Sequence, residues 1–297
     1  MNQPAAQDKN IPNSGRKLFF GLFVFPLIIA VGMIVLICAV VVMTGENETP
    51  ETLIAAIKTA PPDKKLSKAL GIADKKWQKA YELSNELNSG ALINQTAVMG
   101  EIIQILHDPE HYDSETRSYM ALALGYFKRP EAIAALRKAL RDSDLKVRMQ
   151  ASWALGSAGV TEAIPDILLL LKSTAEDERE TAAYVLGAMG ERKSTVHLRP
   201  LLADPDRDVR WNTALALARL GDSAGSKILV EMLDRGDLEN NLKMSEPAIE
   251  AAMINASKGL ALIQNEESVR ILESVSRKDK NLRVRQAAMN AAREIAI

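Results

Sequence analysis

A 31-residue repeat constrains the fold of this chain more than any other feature of its sequence. Four leucines are separated by exact steps of 31 residues, and other residue types keep the same period around them. Because several registers persist through four units, the sequence predicts stacked copies of one supersecondary unit. The repeated leucines are Leu124, Leu155, Leu186 and Leu217; Arg117, Arg148, Arg179 and Arg210 precede them by seven residues, and Leu136, Ile167, Leu198 and Leu229 follow by twelve.

Within each unit, apolar residues recur at helical spacing. Ser152 and Leu155 belong to a predicted first helix, Gly159 to a turn, and Ile164 and Leu171 to a second helix. No stretch alternates as a half-buried strand does. The predicted fold class is therefore all-α: antiparallel helix pairs that stack into an α-solenoid, because one pair alone buries too little surface.

The repeat continues beyond these four units. Leu260 and Leu272 keep the twelve-residue internal spacing but lie 43 residues after their counterparts, which predicts an insertion of about a dozen residues within 234–246. We expect the repeat domain to span 73–297 and to follow a helical linker at 46–72.

The units resemble HEAT repeats, in the short form found in phycobilisome lyases and in many bacterial proteins. The resemblance covers about 73–297 and rests on small-residue–Leu–Gly turns and on an Asp six residues before the repeated Arg. Ser173 replaces that Asp in one unit, and Ala218 replaces the Gly in another. In HEAT-like proteins such side chains link neighbouring repeats, so the resemblance implies a structural ladder: Asp142, Arg148, Arg179, Asp204, Arg210, Asp279 and Arg285.

A stretch without charged residues precedes the repeats. Residues 18–45 would form a helix of about 42 Å, which exceeds the ~30 Å hydrocarbon core of a bilayer. A cleavable signal peptide is the alternative, but its apolar region is only ~7–15 residues long and ends in a small-x-small site. The sequence favours an uncleaved transmembrane helix that follows a short tail at 1–17.

The charges on either side of this stretch predict its orientation. The tail carries a net charge of +2, whereas Glu46, Glu48 and Glu51 follow the stretch before any basic residue. Basic residues favour the cytoplasmic side. We expect a single-pass protein with a cytoplasmic N-terminus and an extracytoplasmic C-terminal domain, periplasmic if the cell is bacterial.

The residues available for catalysis are few. The chain has three histidines, and its one cysteine, Cys38, lies in the uncharged stretch. His107 and His111 have the i,i+4 spacing of a helical metal site. Pro109 lies between them and interrupts a helix, so a solvated loop is the preferred interpretation. No nucleophile or phosphate-loop motif occurs. We expect no catalytic residue, metal, cofactor or small-molecule substrate.

The overall charge argues against a nucleic-acid partner. Residues 46–297 carry a net charge of −3, whereas nucleic-acid-binding domains are clearly basic. Trp153 and Trp211 lie in first helices among core positions and are interpreted as core side chains rather than as recognition residues. The same interpretation applies to Trp77, Tyr81, Tyr119 and Tyr184.

The second helices offer a candidate partner-binding surface. In HEAT-type solenoids these helices line the concave side, and their intervening positions here are basic or leucine-rich. The alternative is that the cations only keep the surface soluble. We call this set the second-helix row: Arg137, Lys138, Arg141, Leu168, Leu169, Lys172 and Arg199.

Together these features favour a membrane-anchored scaffold or adaptor that is not an enzyme. Residues 18–45 would contact membrane lipid, and the solenoid would bind a protein of a membrane or envelope complex. The alternative is a lyase-like enzyme or chaperone related to phycobilisome lyases. That alternative rests on the resemblance of the repeats alone.

Overall fold

Every regular element in the described part of the chain is helical, as the all-α prediction requires. The computed structural model describes residues 49–59, 76–90, 95–264 and 266–296. The predicted tail at 1–17, the predicted membrane helix at 18–45 and most of the predicted linker at 46–72 lie outside these residues. Among the described helices, none combines the length and apolar character needed to cross a bilayer.

The helices alternate along the chain as first and second helices of successive units. Three of the second helices described here, α7, α9 and α11, adjoin a short 3₁₀ turn. The α-helices are α1 Pro50–Thr59, α2 Lys76–Asn88, α3 Gln95–Leu106, α4 Ser114–Leu124, α5 Pro130–Ala139, α6 Leu145–Ser157, α7 Ile164–Leu170, α8 Glu176–Met189, α9 Thr195–Leu198, α10 Arg207–Arg219, α11 Ser226–Glu231, α12 Arg235–Asn240, α13 Glu246–Leu262, α14 Glu266–Lys278 and α15 Leu282–Ile295.

The first helices form one continuous packed row. Helices α2, α4, α6, α8, α10, α13 and α15 each contact the next member of the row. Each second helix packs against the first helix of the following unit, so that the units interlock. The repeated leucines, among them Leu155 and Leu186, are completely buried in the core between the two layers. The stacking of helix pairs therefore agrees with an α-solenoid.

Local sequence signals set the helix ends. Asp144 and Asp206 cap the N-termini of α6 and α10 by accepting hydrogen bonds from backbone N–H groups of the first turn. Pro130 opens α5, where its missing N–H costs nothing. The Asp caps lie 62 residues apart, two repeat periods, whereas Ala175 stands at the equivalent position before α8 and provides no side-chain cap.

The additional residues before Leu260 form a short helix, α12, within the predicted insertion at 234–246. The buried core is divided at this end of the array. One cluster extends from Leu53 to Leu220, and a second extends from Ala214 to Ala292, so both include part of α10.

Helix α1 is packed onto the array. Its Leu53, Ile54 and Ile57 are buried in the same core as the first units. Lys58 forms an ion pair with Glu101 of α3. This part of the predicted linker is therefore an extra helix that covers the first unit.

The repeated Leu–Gly motif is a packing contact inside a helix in two units, whereas the first of its glycines, Gly125, lies in a turn at the end of α4 as expected. Gly156 and Gly187 lie inside α6 and α8. A Cβ atom on Gly187 would be 2.6 Å from Cα of Ala216, and one on Gly156 would be 2.5 Å from Cγ1 of Val185. The glycines therefore let neighbouring first helices approach closely.

The turns between the two helices of a unit use a different set of glycines. Gly159, Gly190 and Gly221 have positive φ angles of 70°, 75° and 73° and are 31 residues apart. At the equivalent position of the preceding unit stands Lys128, with a φ of 48°. A residue that carries a Cβ atom, such as Lys128, is disfavoured in this left-handed backbone conformation.

Replacing Lys128 with glycine should therefore stabilise the protein by about 0.5–1 kcal/mol, because it removes this conformational cost. The control is Lys258→Gly, since Lys258 lies exposed inside α13, where glycine should cost about 1 kcal/mol. Denaturant unfolding of both variants measures the difference. A loss of stability in Lys128→Gly equal to that in Lys258→Gly would contradict the assignment of this turn.

Candidate functional site

The predicted ladder residues hold the loop between two units in two places. Arg117 pairs with Asp142, and both side chains are almost fully buried. Arg179 donates from Nε and from one terminal nitrogen to the two oxygens of Asp204, at 2.8 Å each. In both pairs the carboxylate lies 25 residues after the arginine and follows the second helix of the same unit. The pairs thus fix the loop that leads into the next unit.

The ladder changes where the sequence departs from its pattern. Ser173 stands where the carboxylate is expected, and Arg148 pairs instead with Glu178, at 2.5 Å. Arg210 donates to the carbonyl oxygens of Asp204 and Pro205, at 2.7 and 2.9 Å.

The last ladder pair uses a different arginine. Arg235 lies 31 residues after Asp204, where the repeat would place the next carboxylate. Its Nε donates to Oδ2 of Asp279 at 2.7 Å. Among the described residues, no hydrogen bond or ion pair involves the side chain of Arg285.

The pair of Arg179 and Asp204 should make stability depend on pH. Hydrogen bonding from Arg179 lowers the pKa of Asp204 below its ordinary value of 3.8. The stabilisation is present above that value and is lost as the pH falls through the lower pKa of the folded state. Asp204→Asn should cost about 2 kcal/mol at pH 7 and reduce the loss of stability below about pH 4.

Urea unfolding between pH 2.5 and 7 measures this effect. Asp222→Asn is the control, because its partner Arg199 is largely exposed and the pair should contribute less than about 1 kcal/mol. An unchanged pH profile in Asp204→Asn would contradict the assignment.

The cations of the second-helix row are largely paired. Asp166 of α7 accepts from Arg137 at 2.6 Å and from Arg141 at 3.1 Å. Arg199 pairs with Asp222 at 2.9 Å. Each of these pairs joins one unit to the next, so the arginines also serve as links between repeats. Lys138 and Lys172 are exposed.

The two leucines of the second-helix row have different environments. Leu169 is 58% exposed, whereas Leu168 is partly buried and packs against the core. Leu169 therefore presents more of its side chain to solvent than Leu168 does.

The two histidines with i,i+4 spacing lie in a turn after α3. Nδ1 of His111 is 2.9 Å from the carboxylate of Asp108, and this contact lowers the pKa of Asp108. His107 is partly buried, and its ring lines a cavity beside α5. Within the described ranges, no three His, Cys, Asp or Glu side chains are placed to hold a metal ion.

Exposed aromatic residues lie along the row of first helices. The rings of Trp153 on α6 and Tyr184 on α8 are stacked, with centroids 5.1 Å apart and planes inclined by 13°. The guanidinium of Arg219 on α10 lies 4.7 Å from the centre of the Tyr184 ring. Three consecutive first helices therefore share one continuous stack of planar groups.

This stack belongs to a column that follows the repeat. Five residues lie two positions before the buried leucine of their unit, and Trp153 and Tyr81 among them are 42% and 48% exposed. Two residues correspond to about 200° around a helix, so this position points away from the buried leucine. We call these residues the aromatic column: Tyr81, Leu122, Trp153, Tyr184 and Leu215.

The interpretation of the aromatic residues as core side chains is therefore wrong for Trp77, Tyr81 and Trp153, which are exposed. Tyr119, Tyr184 and Trp211 are partly buried and pack at the edge of the core. The helical period of the sequence could have predicted this exposure, because the buried leucine and the residue two positions before it lie on opposite sides of each helix.

Acidic side chains lie in the N-terminal half of α8, the helix that carries Tyr184. Glu176 and Asp177 are exposed in the first turn of α8. Glu180 lies one turn before Tyr184, and its pKa is raised, mainly by burial and further by the charges of Asp208, Asp177 and Asp206. The charges of these three neighbours act in the same direction as burial, so the carboxylates here lie close enough to repel one another. A cationic side chain would be attracted to this region.

Comparison with known protein families finds a likeness for the repeated unit. The family model described as HEAT repeats matches residues 101–187 and 164–241. This part of the chain is therefore similar to HEAT repeats. No curated protein sequence gives a match.

Solved structures with similar folds were also found. A structure of the complex of CpcE and CpcF of phycocyanin lyase from Nostoc sp. PCC7120 is 21% identical, covers 83% of this chain and 94% of that chain, and has a TM-score of 0.50. An engineered protein is 21% identical over 69% of this chain and 97% of its own, with a TM-score of 0.42. Human deoxyhypusine hydroxylase in complex with glycerol is 16% identical over 85% and 98%, with a TM-score of 0.34. At these identities the likeness concerns the fold alone.

Proposed function

We propose that this HEAT-repeat protein is a non-enzymatic binding module whose aromatic column receives a partner polypeptide. The observation that supports the proposal is the stack of the exposed Trp153 and Arg219 with the partly buried Tyr184 across three first helices. Large aromatic and arginine side chains dominate the energetics of protein interfaces. Their regular arrangement along a row of helices suits an extended segment that contacts one HEAT repeat after another.

The charge around the column defines the chemistry of the partner. The excess of carboxylates near Tyr184, including Asp177 and Glu180, favours a segment with lysine or arginine side chains next to apolar ones. The cations of such a segment would also interact with the faces of exposed rings, as Arg219 does with Tyr184.

Peptide titration of the full-length protein in detergent tests this chemistry. A synthetic (Lys-Pro-Leu)4 peptide should bind and (Glu-Pro-Leu)4 should not, as measured by calorimetry and by tryptophan fluorescence. The double variant Trp153→Ala/Tyr184→Ala should weaken binding by about 30-fold or more, the magnitude of a hot spot. Leu169→Ala, on the other layer of the same HEAT repeat, should leave the affinity unchanged. Equal binding of both peptides would contradict the proposal.

We propose further that residues 18–45 anchor the protein in a membrane and that the HEAT repeats lie outside the cytoplasm. The support is the 28-residue uncharged stretch together with the basic tail on one side and the acidic residues on the other. An anchor would raise the effective concentration of the repeats near membrane-bound partners. A reporter enzyme that is active only outside the cytoplasm, fused after Ile297, tests this orientation. An active reporter is expected, and an inactive one with normal expression would contradict it.

A lyase-like role is the second candidate function. The fold likeness to the structure containing CpcE and CpcF of phycocyanin lyase favours it, at 21% identity. Pigment binding by the purified protein separates the two candidates. A stoichiometric pigment complex would support the lyase-like role, whereas a protein that binds the cationic peptide and no pigment would support the binding module.

A further inference from the structure

A cavity of about 640 Å³ lies among the second helices, whereas the aromatic column lies on the first helices. The cavity is between the end of α3, helix α5 and the start of α7. It is bordered by cationic side chains from one helix and by a histidine from another. The residues that the argument uses are His107, Arg137, Lys138, Arg141 and Asp166. The volume lies within the range of ordinary ligand-binding clefts.

The cations at this cavity are held in place but are not fully neutralised. Asp166 bridges Arg137 and Arg141, which fixes both guanidinium groups at one edge of the cavity. Asp142, which also lines the cavity, already forms an ion pair with Arg117. Within the described part of the chain, the ammonium group of Lys138 has no hydrogen-bond or ion-pair partner. The cavity therefore has a surplus of positive charge.

His107 adds an unused polar group. Its Nε2 atom is buried and has no hydrogen-bond partner among the described residues. Burial is the main reason why the pKa of His107 is lowered, and the positive charge of Lys138 lowers it further. A buried imidazole nitrogen without a partner costs free energy unless a ligand or water satisfies it.

We propose that this cavity binds the carboxylate groups of an acidic polypeptide segment. The arginines and Lys138 supply charge-assisted donors around the opening, and Nε2 of His107 becomes a further donor when the imidazole gains a proton next to the bound anion. The site is separate from the aromatic column and has the opposite charge preference. If the cavity does not bind acidic peptides, the proposal for the aromatic column is therefore unaffected, and the reverse also holds.

Histidine NMR of the full-length protein in detergent tests the site. The chain contains only His107, His111 and His197, so ¹³C-histidine labelling gives three resolvable signals. Hexaglutamate should shift the His107 signal and raise the pKa of His107, while the signal of the exposed His197 stays constant. Binding should weaken steeply between 50 and 500 mM salt because it depends on charge.

Two variants of equal charge change complete the experiment. Lys138→Glu should abolish the response of His107 to hexaglutamate, whereas Lys193→Glu, on the same layer but in another HEAT repeat, should preserve it. If hexaglutamate fails to shift His107, or shifts it equally in Lys138→Glu, the site is excluded. If inorganic phosphate at equal concentration produces the larger response, the assignment to an acidic polypeptide is excluded.

Discussion

Replacing Arg235 with alanine is expected to destabilise the C-terminal HEAT-like units by about 3 kcal/mol. The Arg235 side chain is only 14% exposed, and it donates to Asp279 at 2.7 and 2.8 Å and to Glu246 at 2.8 Å. The carboxylate of Asp279 is only 4% exposed. Without Arg235 this charge would remain buried with a single backbone donor, from Asn281. An uncompensated buried charge is among the more costly defects in a folded protein.

Lys280→Ala is the matched control for this prediction. Lys280 pairs with Glu239 and Glu246, two of the carboxylates that Arg235 also contacts, but its side chain is 61% exposed. Its removal should cost less than about 1 kcal/mol. Hydrogen exchange over α12–α15 measures the local stability of these helices, which a single global transition would not resolve in a repeat array. Equal exchange in the two variants would contradict the role of Arg235.

Gly187→Ala is expected to cost about 2–3 kcal/mol. The new Cβ atom would lie 2.6 Å from both Cα and Cβ of Ala216, so the backbone of α10 must move away from α8. Because the first helices form one packed row, this shift would also loosen the stack of Tyr184 and Arg219. We therefore expect a lower unfolding midpoint and weaker binding at the aromatic column.

The control for this change is Gly100→Ala. Gly100 lies in α3, and a Cβ atom there would meet no atom within 4 Å. Alanine should stabilise that helix by about 0.5–1 kcal/mol, because it restricts the unfolded chain. Denaturant unfolding of the two variants should therefore show changes of opposite sign. A neutral or stabilising Gly187→Ala would show that α8 and α10 are not packed this closely.

The sequence predicts the helices well because the period is set by burial. The leucines at 31-residue steps, such as Leu155 and Leu186, are buried in the core, and the capping residues recur with them. The same period, however, does not distinguish a glycine in a turn from a glycine in a helix contact. Gly156 and Gly159 are three residues apart, and only the approach of α8 to α6 separates their roles.

The binding surfaces are harder to predict because they depend on contacts between units. The sequence shows Arg137 and Arg141 as an unpaired basic stripe, yet Asp166 from the next unit lies between them. Trp153 is apolar enough for the core, yet its position relative to Leu155 places it on the opposite side of α6. The helical period alone could have shown that exposure, whereas pairings across repeats follow only once the stacking is known.

Photo-crosslinking in intact membranes tests the central claim most directly. A photoreactive residue at position 153 of the full-length protein is compared with one at position 169, which is more accessible but lies on the second helix of the same unit. We predict a discrete crosslinked protein from position 153 that disappears with Asp177→Lys and that is absent from the products of position 169. A discrete product from position 169 alone would contradict the assignment of the aromatic column as the partner-binding surface.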